Sequence, residues 1–193
     1  MSNIALEKHL KSISEISYDK SNNEYMTDSM LKAVDFDEVK NQFVSTMGTR
    51  GCPAPRSNDA LYIDRNDDYY FIEFKNGKIN NYELMQKNYD STFILAVVLS
   101  EKFEILKKKL NYILVYNETK YPNEKVEDRY VQESAYRDKI GKNFSKKSNT
   151  SFVKFNQGFF ENYLFSKVYT LDKSEFQNMF ISKWELKDLD SDL

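Results

Sequence analysis

The chain has 193 residues, 40% of them hydrophobic, which is enough to build the core of one compact domain. Its 28 basic and 30 acidic residues nearly cancel, so any contact with nucleic acid requires a local basic patch or a bound metal ion. A single His and a single Cys exclude an intramolecular disulfide and zinc sites built from several such residues, and the five glycines form neither of the common glycine-rich phosphate-binding loops.

The first residues lack the basic stretch and apolar run of a signal peptide. The longest apolar run, residues 93–99, is too short to cross a bilayer. A lone thiol also suits a reducing compartment. We therefore predict a cytoplasmic protein without a membrane partner.

Apolar residues at helical spacing predict a first helix over residues 3–16. The polar segment 17–28 is rich in Asn and Ser and is predicted to be a loop. A second helix is predicted over residues 35–47, where Gly48 and Gly51 end it.

The middle of the chain carries the strongest structural pattern. Residues 60–63 and 69–75 are short apolar runs joined by the polar turn 64–68, which predicts a β-hairpin. The second run is apolar on both faces, as is typical of a strand covered on both sides. A helical pattern over 79–110 and a β-rich run over 111–116 follow, so the last strand should lie parallel to the hairpin's second strand.

The C-terminal third is predicted to elaborate this core. We expect a charged helix over 122–140, a loop over 143–150, an edge strand over 164–171 and a helix over 174–184. The acidic tail 188–193 is expected to fray. No internal repeat or low-complexity block divides the chain, so residues 1–193 are predicted to form a single domain, with its core at about 35–117 and an elaboration over 118–187.

Two carboxylates and an ammonium group are predicted to meet at one end of the hairpin. Asp59 stands just before the first strand, and a turn centred near Asn66 places it opposite Glu73 or its neighbour. Glu73 and Lys75 share a face because side chains alternate along a strand. Such a group beside an apolar strand is costly unless it has a partner, a proton or a metal.

The residue types at this hairpin end suit one kind of chemistry. Paired carboxylates repel, and a divalent cation such as Mg²⁺ or Mn²⁺ relieves the repulsion with hard oxygen ligands. The ion polarises a phosphoryl group, and a nearby lysine holds water and offsets the charge that builds on phosphorus. The trio therefore indicates metal-assisted phosphodiester hydrolysis.

Asn58-Asp59, the gap 60–72 and Glu73-Phe74-Lys75 resemble the motif of the PD-(D/E)XK nuclease superfamily. The motif's proline before the acid is absent here, since Pro55 lies four residues before Asp59. The resemblance covers residues 35–117 and implies an α/β fold with a restriction-endonuclease-like core: a mixed β-sheet with a hairpin and a crossover helix, flanked by helices.

The resemblance also implies roles for individual residues. Asp59 and Glu73 would be catalytic metal ligands for Mg²⁺ or Mn²⁺, and Lys75 the catalytic lysine. Many members of the superfamily add a carboxylate from the preceding helix; the candidate here is Glu38, with Glu15 as the substitute. Some members place Gln or Lys on the crossover helix, where this chain has the supporting candidates Gln86 and Lys87.

A basic stretch with interleaved phenylalanines is the candidate nucleic-acid-binding segment. Basic side chains grip phosphates and aromatic rings stack on bases. The other interpretation is a solvated loop beside core phenylalanines. The basic candidates are Arg137, Lys142, Lys146 and Lys147, with Lys154 in the same stretch.

Two further interpretations of the chain stay open. Glu73 and Lys75 could simply cap a strand end, with Asp59 starting a turn. A nuclease-like scaffold without activity could also bind nucleic acid or a protein partner, for instance in conflict between bacteria and mobile elements. The acids Asp64, Asp67 and Asp68 are interpreted as a solvated hairpin tip.

Overall fold

A mixed β-sheet organises the residues described by the computed structural model, which are 6–47, 53–121 and 153–189. Each strand of this sheet is short, and the longest two have seven residues. The strands are β1 (Leu10–Ser12), β4 (Lys32–Asp35), β5 (Ala60–Ile63), β6 (Tyr69–Lys75), β7 (Leu110–Tyr116) and β8 (Lys167–Asp172), and β2 (Tyr18–Asp19) and β3 (Glu24–Tyr25) form a separate two-stranded hairpin.

The strand order β1-β4-β5-β6-β7-β8 makes β6 and β7 interior strands. Neighbours from β1 to β6 pair antiparallel, whereas β6, β7 and β8 run parallel. Parallel neighbours require a long crossover, and helices lie on both faces of the sheet. The helices are α1 (Ile13–Ile16), α2 (Phe36–Met47), α3 (Asn81–Leu99), α4 (Phe103–Leu106), α5 (Lys173–Phe176) and α6 (Ser182–Leu189), with a π-helical turn at Gln177–Ile181 and 3₁₀ turns at Glu118–Lys120 and Gln157–Phe160.

The predicted hairpin is confirmed, with both strands at the expected bounds and in the expected register. Ala60 pairs with Ile72 and Ile63 with Tyr69. The Asp64 carboxylate organises the turn, because its Oδ1 accepts the backbone N–H groups of Asn66 (2.8 Å) and Asp68 (3.0 Å). The parallel pairing of β7 with β6 is also confirmed, as is β8 at the sheet's edge.

Each face of the sheet has its own apolar core. On one face, Phe71 and Leu114 pack with residues of α2 and α3. On the other face, Ile72 and Ile113 pack with Trp184 of α6. Glu73 and Lys75 follow Phe71 in alternation, so they lie on the α2 and α3 side.

The face that α3 buries differs from its most apolar stripe. Tyr82, Phe93 and Val97 recur at helical spacing along α3, and all three are exposed. The helix instead buries a stripe that mixes apolar and polar residues. This buried stripe comprises Leu84, Asn88, Ser91, Thr92, Ile94 and Leu95.

The predicted helix over 3–16 is wrong over residues 10–12. Leu10 to Ser12 pair with β4 instead, and a capping box between Ser12 and Glu15 starts the one-turn helix α1. The segment 17–28, predicted as a loop, contains β2 and β3. Strand β4 was not predicted, because its sequence Lys-Ala-Val-Asp has little β character and pairing on both sides decides its state.

Two other helix ends differ from their predicted positions. The predicted 79–110 helix ends at Leu99, where Ser100 adopts a left-handed conformation (φ 52°) and its N–H bonds the carbonyls of Ala96 and Val97. The last helical segment extends to Leu189, into the predicted frayed tail. The predicted helix 122–140 and loop 143–150 lie outside the described residues.

A search of the described ranges finds no helix with the length and apolar character needed to cross a bilayer.

The stacking of Tyr62 on Trp184 makes α6 a necessary cover for its face of the sheet. The ring centroids are 3.9 Å apart and Trp184 is 4% exposed. We expect Trp184→Ala to lower the free energy of unfolding by about 4 kcal/mol, measured by urea denaturation with circular dichroism. The control Leu186→Ala, at a 65% exposed position, should change it by less than about 0.5 kcal/mol; equal losses would contradict this packing.

Candidate active site

The end of β6 holds the two predicted carboxylates together. Asp59 directly precedes β5, which is antiparallel to β6, so it lies beside the carboxyl end of β6. Its Oδ2 accepts the backbone N–H of Phe74 at 2.7 Å. This hydrogen bond fixes the Asp59 carboxylate at the position that the hairpin register predicts.

Glu73 is fully buried and is held by two lysines. Lys75 Nζ lies 2.9 Å from Glu73 Oε1, and Lys87 Nζ lies 2.6 Å from the same oxygen. Lys87 also reaches Asp59 Oδ1 at 3.1 Å. Four of the predicted site residues therefore converge, and Lys87 joins the two carboxylates through one ammonium group.

The start of α3 positions Lys87. Asn80 caps the helix by accepting the N–H groups of Tyr82 (3.1 Å) and Glu83 (3.3 Å). Lys87 lies about two turns along, on the side facing β6. Of the two candidates that the sequence offers on this helix, Gln86 and Lys87, it is Lys87 that reaches the carboxylates.

Buried polar residues that were not predicted tie α3 to the strand carrying Asp59. Asn58 N–H donates to Ser91 Oγ at 2.8 Å, and Asn58 Nδ2 donates to Asn88 Oδ1 at 3.1 Å. All three residues are fully buried. The sequence signal for these contacts was the presence of polar residues among the apolar positions of α3, because buried polar groups need hydrogen-bond partners.

Burial and charge set the protonation of this cluster. Desolvation and the neighbouring Asp59 charge raise the pKa of Glu73 to about 7, against the opposing charges of Lys87 and Lys75. Desolvation alone would lower the pKa of Lys87, but the charges of Asp59 and Glu73 and the hydrogen bonds to both carboxylates hold it above its ordinary value. Burial raises the pKa of Tyr112 far above its usual range, with Glu73 and Asp59 adding to the effect.

One oxygen of the cluster has no partner in the described part of the chain. Glu73 Oε2 is buried and accepts no hydrogen bond there. A buried carboxylate oxygen without a donor is costly, and it is a hard oxygen ligand of the type that Mg²⁺ and Mn²⁺ prefer. The donor set of Asp59 and Glu73 thus fits a divalent cation that keeps several waters.

The other predicted ligands have different partners. Glu38 binds Lys11 Nζ at 2.7 Å and lies 3.3 Å from His9 Nδ1. Glu15 caps α1 through Ser12. Within residues 6–47, 53–121 and 153–189, no three His, Cys, Asp or Glu side chains form a group that could hold a metal.

Gln86 forms its hydrogen bond within α3 rather than with the carboxylates. Its Nε2 donates to the hydroxyl of Tyr82 at 3.3 Å, one turn earlier on the helix. The next residue, Lys87, points to the two carboxylates. Residues 86 and 87 therefore lie on different faces of α3.

Asp37, next to Glu38, is the α2 carboxylate on the side of the cluster. It accepts hydrogen bonds from Ser57 and from Lys40 Nζ (2.8 Å). Partial desolvation opposes ionisation, but these bonds and the charges of Lys40 and Lys87 hold the pKa of Asp37 below its ordinary value. Ser57 lies two residues before Asp59, so its hydrogen bond to Asp37 brings that carboxylate near the site. Asp37 is therefore a better candidate than Glu38 for a helix carboxylate near the site.

The basic candidates Arg137, Lys142, Lys146 and Lys147 lie outside the described residues. Lys154, from the same stretch, is one of the described residues, and its side chain contacts Tyr116 at the end of β7. Its N–H donates to Thr170 Oγ1 at 2.7 Å, which holds it against β8.

Comparisons with protein-family models, curated proteins and solved structures find no match to this chain. Functional inference therefore depends on the geometry of the site.

Replacing Glu73 with Gln should change how stability depends on pH. Because the folded pKa of Glu73 is raised to about 7 from 4.5, its favourable contribution is complete below pH 4.5 and is lost as the pH rises through 7. The free energy of unfolding of the wild type, relative to Glu73→Gln, should fall by about 3 kcal/mol over this range. Urea denaturation at a series of pH values measures the difference, and a constant difference would contradict the raised pKa.

Proposed function

We propose that this chain is a metal-dependent phosphodiester hydrolase that acts on DNA or RNA. The observation that carries the proposal is the cluster of Asp59, Glu73, Lys75 and Lys87, in which the Glu73 carboxylate is fully buried and its Oε2 has no partner among the described residues. Perturbed, buried titratable groups of this kind concentrate at functional sites.

The fold supports a restriction-endonuclease-like core. Strands β4, β5 and β6 form an antiparallel meander, and β6, α3 and β7 form a parallel crossover unit. The hairpin of β5 and β6 and the crossover helix α3 correspond to the hairpin and crossover helix that the PD-(D/E)XK resemblance implies. Helix α2 lies between β4 and β5 in the chain. It therefore precedes the hairpin but follows the first strand of the meander.

Each side chain of the cluster has a role that follows from its position. Asp59 and Glu73 would hold Mg²⁺ or Mn²⁺, which supplies Lewis-acid polarisation of the phosphate and a more acidic bound water. Lys75 is partly exposed, and its ammonium can orient a water molecule and offset negative charge on the phosphate. Lys87 bridges the two carboxylates and holds them in register.

One observation favours a second candidate, a module without catalytic activity. Lys87 already bridges Asp59 and Glu73, so the repulsion between the carboxylates is relieved without a metal ion. Such a protein would bind nucleic acid or a protein partner.

A cleavage assay tests the hydrolase. We expect the protein to cut plasmid, single-stranded DNA or RNA with Mg²⁺ or Mn²⁺ and to lose activity in chelator. Glu73→Gln, Asp59→Asn and Lys75→Met should each lower the rate by about a hundredfold or more, because the first two remove carboxylates that would hold the metal and the third removes the charge beside the reacting phosphate.

Matched controls on α4 separate these effects from a change in net charge. Glu104→Gln and Lys107→Met alter a surface pair 3.0 Å apart and should leave cleavage at the wild-type rate. Cleavage that persists in Glu73→Gln and Lys75→Met would refute the assignment. Binding of nucleic acid that is insensitive to chelator, without turnover in any metal, would favour the second candidate.

A further inference from the structure

Next to the cluster lie a tyrosine of the neighbouring strand, Tyr116, and a lysine that contacts it, Lys154. Tyr116 ends β7 and is the register partner of Lys75 on β6. Neighbouring strands lie about 4.8 Å apart, and paired residues of parallel strands point to the same face. The Tyr116 side chain therefore stands beside that of Lys75, on the face that carries Glu73.

Lys154 is held at this tyrosine by two contacts. Its Nζ donates a hydrogen bond to the Tyr116 hydroxyl and lies 4.7 Å from the centroid of the ring. The backbone bond to Thr170 fixes the base of the lysine on β8. The ammonium is thus placed by the fold, although Lys154 belongs to the segment between β7 and β8.

Aromatic packing strengthens this position. Phe155 packs edge-on to Tyr116 (centroids 5.2 Å apart) and to Tyr121 (5.6 Å). Phe155 also has a positive φ of 58°, a costly conformation for a bulky residue that persists only where the surroundings enforce it. The turn that presents Lys154 is therefore held in one arrangement.

The Lys154 ammonium has a different kind of hydrogen-bond partner from the two lysines of the cluster. Lys75 and Lys87 bind carboxylates, whereas the hydrogen-bond partner of Lys154 Nζ in the described ranges is a neutral phenol. Asp172, the register partner of Tyr116 on β8, uses its carboxylate to cap α5. An ammonium that has no carboxylate partner among residues 6–47, 53–121 and 153–189, and that lies beside a hydroxyl, suits an anionic ligand.

We propose that the Lys154 ammonium and the Tyr116 hydroxyl form a subsite for a nucleic-acid phosphate that flanks the scissile one, an inference that rests on the proposed function. The flanking phosphate would lie across β7 from the phosphate at Glu73 and Lys75. The subsite favours a polynucleotide over a single diester, because a single diester has no second phosphate to place there.

Salt-dependent binding tests the subsite without turnover. Fluorescence anisotropy in chelator would measure the affinity for a labelled single-stranded oligodeoxynucleotide and for an oligoribonucleotide of equal length. Lys154→Met should weaken binding about tenfold at low salt and reduce the slope of log affinity against log salt by about 0.7, the value for one lost phosphate contact on a single strand. Lys154→Arg should restore the slope, and Tyr116→Phe should weaken binding by less than Lys154→Met.

The matched control is Lys183→Met, which removes the same charge from an exposed lysine of α6, on the other face of the sheet. It should leave affinity and slope unchanged. Equal losses in the two variants, an unchanged slope in Lys154→Met, or no binding of either oligonucleotide by the wild type would each overturn the subsite. Matching urea midpoints for Lys154→Met and Lys154→Arg separate the subsite from a change in folding.

A kinetic comparison separates failure of the subsite from failure of the proposed function. Lys154→Met should lower kcat/KM about tenfold on the oligonucleotide and leave hydrolysis of bis(p-nitrophenyl) phosphate, which has one phosphate, unchanged. Cleavage that is equal in wild type and Lys154→Met would refute the subsite alone. Lys154-dependent binding without any cleavage would refute the hydrolase and leave the subsite standing.

Discussion

The Glu73 carboxylate is buried beneath α3, and its ionisation determines what the surrounding structure must provide. An ionised carboxylate withdrawn from water costs several kcal/mol unless opposite charges compensate it. Lys75 and Lys87 supply that compensation from a strand and from the crossover helix. The position of α3 against β6 is therefore fixed by charge as well as by packing. Replacing Glu73 alone with an apolar residue would leave both ammonium groups without this partner and would destabilise the fold, whereas replacing the whole charged group with well-packed apolar residues can be neutral or stabilising. The cluster is therefore weak evidence for stability in itself.

The sheet topology collects the polar groups at one edge. Parallel strands end at the same edge, and β5 begins there because it is antiparallel to β6. Asp59, Glu73, Lys75 and Tyr116 therefore lie near one another although they come from three strands. Ligands of open α/β sheets commonly bind beyond the carboxyl ends of the parallel strands. The proposed hydrolytic centre and the proposed phosphate subsite both lie at that edge.

The sequence was most informative where side-chain alternation and turn chemistry act locally. The hairpin register, which a turn near Asn66 determines, was sufficient to bring Asp59 to Glu73. Pairing between distant segments was not visible in the sequence, so β1 and β4 were missed. The apolar residues of α3 do not indicate its buried side, because that side carries polar residues such as Asn88. The choice between Gln86 and Lys87 depends on helix rotation, which adjacent positions do not reveal. The partners of Glu38, namely Lys11 and His9, lie on β1 or beside it, so its environment could not be predicted without that strand.

The charge balance of the cluster separates the task of a metal from the task of Lys154. Two lysines face two carboxylates there, so the described cluster carries little net charge with which to attract the phosphate that would be cut. A divalent cation would add that charge, and catalysis would then depend on the metal. Lys154 has a neutral partner and can hold a flanking phosphate without a metal. Affinity for a polynucleotide and turnover of it are thus expected to come from adjacent but electrostatically distinct parts of the same edge.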